Sequence, residues 1–387
     1  MHLDPVLSAL FTIATAALLV GLLLRRLNQP HVVSYILAGI VLGPGVFGLI
    51  TDAAAVSQFG AVGVVMLLFF VGLEVSPEQL IAQWRVALIG TLLQVLLGFG
   101  VIWLAGHYLD WPLGRVVLLS FVITLSSTAV VLKLLEQWRL FDHRVGQNVL
   151  GILLVQDFLV VPMLILISIL GGETLSPVTI AKQVIGAILL IGVTGWTIAR
   201  SKAKTVLFER ITQDTELQLF AALSLCFGLA VLTGWLELST ALGAFAAGLI
   251  IGQRYETHWL HESLAPLRDL FVALFFLSVG LLIDVQFMLE HIGPLLLMVS
   301  LVMIINTLIN ATILRTFGEP WRDALHGGVI LSQIGEFSFV LAAVGLNVGL
   351  ITQVGYQFTL ALIALSLALS PAYIVLVRRI FKLRVGE

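Results

Sequence analysis

The feature that most limits what this chain can fold into is its succession of apolar runs. Thirteen stretches rich in Leu, Ile, Val, Ala and Gly follow one another, near 5–25, 31–49, 57–74, 86–108, 114–136, 145–170, 178–200, 215–235, 238–253, 264–284, 292–314, 321–346 and 353–380. A helix needs about 20 apolar residues to cross a hydrocarbon core of about 30 Å. The second and ninth runs are short and glycine-rich, and the rest have that length. Lipid offers the backbone no water, so each run must close its own hydrogen bonds as a helix. Only 11% of the 387 residues are charged and 59% are hydrophobic, which leaves too little polar surface for a water-soluble domain. One cysteine, Cys226, excludes a disulfide scaffold, and a net charge of −2 gives no electrostatic reason to expect nucleic acid. The predicted class is an all-α polytopic membrane protein with 13 transmembrane helices.

An odd number of spans puts the two termini on opposite sides of the membrane. With the N-terminus outside, 18 of the 20 Lys and Arg residues fall on the inner face, and only Arg115 and Lys182 fall outside. That bias follows the positive-inside rule, so it predicts an outer N-terminus and a cytoplasmic C-terminus in a bacterial-type inner membrane. The N-terminus carries Asp4 and no basic segment before its apolar run, which argues against a cleaved signal peptide.

The chain also repeats itself. LAGIVLG (37–43) matches AAGLIIG (246–252), LFFVGLE (68–74) matches LFFLSVGLLID (274–284), and LSSTAVVL (125–132) matches LSQIGEFSFVL (331–341). The last two pairs are each 206 residues apart. Seven spans separate the members of each pair, so the repeats cross the membrane in opposite directions. Repeat one covers about 31–170 and repeat two about 238–380, joined by a basic linker at about 200–214, all in a single transmembrane domain spanning 1–387. Inverted repeats are the architecture of many secondary transporters, with the substrate site at the midplane.

Most acidic residues sit at span ends, as Glu74, Glu136, Glu237, Asp284 and Glu290 do. Asp157 does not. It lies near the centre of the sixth span, beside Gln156 and five residues before Pro162. A carboxylate at that depth is costly, and by default it marks a functional site. With no Lys or Arg at the same depth, it can hold a proton or a monovalent cation in competition. The plain alternative is a structural Asp hydrogen-bonded to a neighbouring helix. The fifth span carries Thr124, Ser126, Ser127 and Thr128 at its centre, and the twelfth carries Ser332, Gln333, Gly335 and Glu336 at the equivalent repeat position. Small polar residues in hydrocarbon permit a helix break because their side chains satisfy the freed backbone groups. Two broken, crossing helices are therefore expected, with carbonyl and N–H ends turned toward one cavity. Glu336 has two readings here: stabilising a half-helix start, or acting as a second proton or ion site. His258 and His261 read as solvated histidines in an inner loop, since nothing nearby completes a metal set.

Taken together, these motifs resemble the Kef-type monovalent cation:proton antiporters, which share the fold of bacterial sodium/proton antiporters. The resemblance covers essentially the whole chain. It is carried by VSYILAGIVLGP (33–44), LFFVGLE (68–74), LSSTAVVLKLL (125–135), LLVQDFLVVP (153–162), GAFAAGLIIG (243–252), LFFLSVGLLID (274–284) and LSQIGEFSFVL (331–341). It implies a homodimer, with a core bundle moving like an elevator against a dimerisation bundle. It also implies that Asp157 binds ion and proton, with Gln156 as the other half of the paired polar motif. The Gln-Asp form is similar to the potassium-transporting members, which puts K+ first and Na+ second.

Three departures stand out. Asn306 occupies the eleventh-span position where many relatives carry lysine. The gated Kef systems continue into a cytoplasmic nucleotide-binding domain, whereas this sequence ends at RRIFKLRVGE (378–387), either cut there or belonging to a member that lacks that domain. THWLHESLAPLR (257–268) keeps His258 and Pro266 but has Ala265 where the gated members carry an acid, so glutathione gating is not expected.

The expected function is K+ (or Na+) exchange for H+, electroneutral because the Gln-Asp pair offers one carboxylate. Asp157, Gln156, Ser126, Ser127 and Thr128 form the expected ion site. Thr124, Ser332, Gln333, Gly335 and Glu336 support the breaks. No cofactor and no transition metal are expected. The partners are K+ or Na+, H+, the lipid bilayer, a second copy of the chain and a cytoplasmic regulatory domain or subunit. The rivals are an ion channel, an ion-sensing membrane receptor and, more remotely, an intramembrane enzyme. A channel commonly needs rings of ligands around a continuous pore, and an enzyme needs a nucleophile with a base or several metal-binding acids. One buried acid in an inverted repeat fits alternating access better.

Overall fold

The computed structural model describes residues 5–25, 31–50, 62–66, 68–70, 72–73, 84–138, 140, 143–172, 182, 185–186, 188–190, 192–196, 215–236, 238, 240–252 and 258–381. The predicted linker at 200–214, Glu74 and the tail from Lys382 lie outside the described residues. Among those described, every regular element is helical.

The helices run α1 (Pro5–Arg25), α2 (His31–Leu42), α3 (Gly90–Tyr108), α4 (Leu113–Thr124), α5 (Thr128–Gln137), α6 (Arg144–Leu170), α7 (Thr215–Trp235), α8 (Thr240–Gly252), α9 (His258–Leu282), α10 (Val285–Glu290), α11 (Ile292–Thr316), α12 (Trp321–Ile330), α13 (Phe337–Asn347) and α14 (Gln353–Ile380). A π-helical turn, Arg85–Ile89, leads into α3. By length and composition, five described helical stretches can cross a membrane: 85–108, 216–235, 263–282, 292–316 and 353–380. A sixth is α6, whose two parts, Arg144–Val160 and Pro162–Leu170, meet at 40°. Proline accounts for the bend because it lacks the N–H of an intrahelical bond and its ring crowds the preceding turn.

Proline also starts helices. Pro112 precedes α4 and Pro320 precedes α12, both with extended ψ, where the missing N–H has no helical partner to lose. Thr352 caps α14 by accepting from Gly355 N–H, and Asp284 caps α10 by accepting from Phe287 N–H. Residues 258–263, read from sequence as loop, are instead the first turns of α9. Leu264, the next residue of α9, is fully buried.

The chain forms two compact units, each drawing on both halves of the sequence. One comprises Met1–Thr51, Glu78–Glu173 and Gly280–Glu387, and the other Asp52–Pro77 and Thr174–Val279. In the second unit Met66, Phe69, Phe70, Cys226, Ala244 and Leu264 build a core. A Cβ on Gly248 would meet the Phe69 carbonyl oxygen, so backbones touch there only because glycine has no side chain. The first unit packs Val131, Leu135, Val149, Ile152, Leu314 and Ile330 around the elements that carry Asp157.

Candidate functional site

The site is built where two helices stop in mid-run. α4 ends at Thr124, Leu125 turns extended (φ −72°, ψ 126°), and α5 resumes at Thr128. α12 ends at Ile330, and α13 resumes at Phe337. The two interruptions touch. Gly335 N–H donates to the Leu125 carbonyl at 2.7 Å, and Ser126 Oγ donates to the Leu331 carbonyl at 2.9 Å. Gly335 is required: a Cβ there would run into the Ser126 carbonyl and lie 3.1 Å from Ser127 N.

A helix end leaves carbonyls without helical partners, and burying them unpaired is costly. At the end of α4 they are all met by other elements. Val122 O accepts from Ser338 Oγ at 2.7 Å, and Ile123 O accepts from Asn306 Nδ2 at 2.8 Å. Thr124 O accepts from both Gln94 Nε2 and Gln156 Nε2, each at 3.2 Å, and Leu125 O takes Gly335 N–H. The freed N–H of Ser126 donates to Gln156 Oε1 at 2.9 Å. Ser127 Oγ caps α5 by accepting from Val130 N–H at 3.3 Å.

Asp157 lies on α6, is 9% exposed, and takes the Thr128 hydroxyl across its two oxygens at 3.3 and 3.4 Å. Thr128 is the first residue of α5, so the break itself delivers this hydroxyl. Glu336 lies buried at the start of α13. Of the residues expected at the ion site, Thr128 meets the Asp157 carboxylate directly. Gln156, Ser126 and Ser127 bond to the backbone of the breaks. Thr124 contributes its carbonyl, and its hydroxyl bonds back to Ser120 O at 2.6 Å.

The break between α12 and α13 is held differently. Asn306 Nδ2 donates to Ser332 O at 3.2 Å, so one amide reaches both breaks. Ile334 N–H donates to Ser366 Oγ of α14 at 3.2 Å. Among the described residues, Ser332 Oγ and both polar atoms of the Gln333 amide are buried without a hydrogen-bond partner.

Sequence reasoning passed over Gln94, Ser338 and Ser366. Gln94 is the clearest omission: a long polar side chain midway along the fourth apolar run, GTLLQVLLG, visible to the depth rule that singled out Asp157. No spacing rule links it to Gln156, 62 positions away, which donates to its Oε1 at 2.7 Å.

A family model described as sodium/hydrogen exchanger, transmembrane, matches residues 13–377. This chain belongs to that family. The Kef-type resemblance holds at the level of relatives. The chain is 31% identical to the putative cation/proton antiporter YbaL of Escherichia coli, covering 98% of this chain and 69% of that one. It is 30% identical to the glutathione-regulated potassium-efflux system protein KefC of Salmonella typhi, with all of this chain matched but only 63% of that protein's length spanned. It is 37% identical to a protein named iron transporter MagA from Paramagnetospirillum magneticum, covering 98% and 87%. The structure of the sodium proton antiporter MjNhaP1 from Methanocaldococcus jannaschii superposes with a TM-score of 0.68 at 16% identity, over 99% of this chain and all of that one. At that identity the match concerns the fold. The family is one of membrane transporters rather than enzymes.

Proposed function

We propose that this chain exchanges a monovalent cation, K+ first and Na+ second, for H+ by alternating access. The observation that carries the proposal is Asp157: a buried carboxylate in mid-helix, bonded to a hydroxyl delivered by a helix break. Such a group holds either a proton or a dehydrated cation, and that competition is the chemical core of antiport. The relatives named for K+ efflux and cation/proton antiport support the reading.

In this proposal the chain has 13 spans in two inverted repeats with two broken, crossing helices, an outer N-terminus and a cytoplasmic C-terminus. It works as a homodimer in a bacterial-type inner membrane, and its core helices move like an elevator. A cytoplasmic regulatory domain or subunit completes the system. Asp157 alternates between protonated and cation-bound forms, with Thr128 as the neighbouring oxygen. Exchange is one-for-one and electroneutral, with Glu336 keeping the same charge through the cycle.

Proton flux in proteoliposomes, driven in turn by K+, Na+ and Li+, tests this with wild type beside Asp157→Asn. Cation-driven flux lost in the variant and indifferent to a potential clamp is expected. Wild type moving no protons with any cation overturns the reading.

A second reading has one observation behind it, the 37% identity to the protein named iron transporter. Among the described residues no group of three or more His, Cys, Asp and Glu gathers to hold a metal ion. Iron uptake by vesicles, measured alongside proton flux, separates the two readings.

A further inference from the structure

The arrangement of amides around the fifth-span break bears on how a cation would be selected. Gln156 stands next to Asp157 in sequence, and its carbonyl oxygen is the kind of ligand a hard cation takes. Yet both ends of its amide are engaged elsewhere. Oε1 accepts from Ser126 N–H at 2.9 Å, and Nε2 donates to Thr124 O at 3.2 Å and to Gln94 Oε1 at 2.7 Å. The partners fix the amide's orientation, because Ser126 N–H requires an acceptor and the Thr124 carbonyl requires a donor. Gln94 completes the loop by donating its own Nε2 to Thr124 O at 3.2 Å. Both side chains are buried, Gln94 at 2% and Gln156 at 1% exposure.

We infer that Gln94 is a positioning residue that sets cation preference by acting through Gln156. It holds the Gln156 amide against the backbone of the break, so Gln156 does not ligate the cation. The α4 carbonyls stay engaged, and Asp157 with Thr128 make up the oxygen set the cation meets. Without Gln94, the Gln156 amide loses its shortest bond and keeps only those to Ser126 N–H and Thr124 O, so its carbonyl oxygen is held less firmly and can exchange Ser126 N–H for the cation. An added neutral oxygen changes how well the site compensates each cation for its lost water, and this differs between K+ and Na+. The inference rests on the proposed cation site at Asp157.

The test reads cation binding as well as transport. Gln94→Leu and Gln94→Asn are purified, the second being too short to reach both Thr124 and Gln156. Thr91→Val serves as control. Thr91 also ties α3 to α6, through Ile152 O at 3.3 Å, but away from the break. Stabilisation against heat by graded K+ and Na+ is measured for each protein, and flux is measured in proteoliposomes. The expected result is a shift of about threefold or more in the ratio of half-effective K+ and Na+ concentrations in both Gln94 variants, with the control unchanged. Added to Gln156→Leu, the Gln94→Leu change shifts the ratio no further, since its route is already gone.

A purely structural Gln94 would lower stability and flux for all cations alike and leave the ratio at the wild-type value, and that result overturns the inference. So does a full second shift in the double variant. A ratio shift in binding, seen in protein whose wild type carries no flux, would keep the positioning role while removing the antiport reading. If Gln94→Leu does not reach the membrane, Gln94→Asn carries the same comparison.

Discussion

The two helix breaks occupy equivalent places in the sequence repeat, yet they are finished differently. The break between α4 and α5 is short, Leu125 to Ser127, and each carbonyl from Val122 to Leu125 has a donor from another element. The break between α12 and α13 is longer, running from Leu331 to Glu336. It is tied by Asn306 and Ser366, while Ser332 Oγ and the Gln333 amide are buried without a partner. A carbonyl whose bond is already made must give it up before it can rearrange. A break with polar atoms in reserve has somewhere to put a new bond. The contrast points to a fixed half that positions Thr128 and Asp157, and an adaptable half that carries Glu336.

The largest expected effect breaks the fixed half at its chemical centre. Asp157→Asn should reduce cation-driven proton flux to the level of empty liposomes while the protein still folds, since an amide keeps the Thr128 contact without the charge. Flux that persists would move the exchange site elsewhere, with Glu336 the first place to look.

Asn306 tests the link between the halves. Asn306→Leu leaves Ile123 O without its donor and Ser332 O without its bridge. A loss of about 1–3 kcal/mol is expected, read as earlier thermal unfolding in detergent. An unchanged melting temperature would mean that the bonds from Gly335, Ser126 and Ser338 hold the breaks together without Asn306.

Gln333→Leu addresses the adaptable half, and its sign is opposite. Replacing a buried, unpartnered amide with an apolar side chain of similar size should raise stability by about 1 kcal/mol. A flux defect in so stabilised a protein would tie the Gln333 amide to the ion path.

The smallest effect lies at the edge of the same unit. Glu319, in the turn between α11 and α12, pairs with Arg144 at 2.9 Å and accepts from Asn148 at 2.8 Å. Burial pushes its carboxyl above the usual range, opposed by Arg144 and by the Asn148 bond and assisted by Asp323. A raised carboxyl in the folded state contributes stability that is full below the unfolded pKa and fades as pH rises through the folded one. Arg144→Gln removes a lowering influence and widens that window. The variant should therefore lose more stability at neutral pH than near pH 4, by under about 1 kcal/mol because the Arg144 side chain is 66% exposed. Equal losses at both pH values would show that Arg144 does not tune this group.

Much of this architecture was legible in the chain. Apolar run length dictates helices in lipid, because unpaired backbone has nowhere else to go. The polar clusters at 124–128 and 332–336 marked both places where α-helix gives way, because only residues with side-chain donors and acceptors make a buried break tolerable. Asp157 announced itself by the cost of its burial. Tertiary structure alone decided which polar group meets which. Gln156 sits beside Asp157 in the chain, but consecutive positions on a helix point about 100° apart, so neighbours in sequence face different partners. Gln156 turns to Ser126, Thr124 and Gln94, while Asp157 turns to Thr128. The hydrogen bonds that close the α4 carbonyls come from α3, α6, α11, and Gly335 and Ser338 at the start of α13, over separations of 30 to 216 residues. No local pattern encodes such partners. They follow from packing, which brings distant donors to the break where the α4 carbonyls would otherwise be left bare.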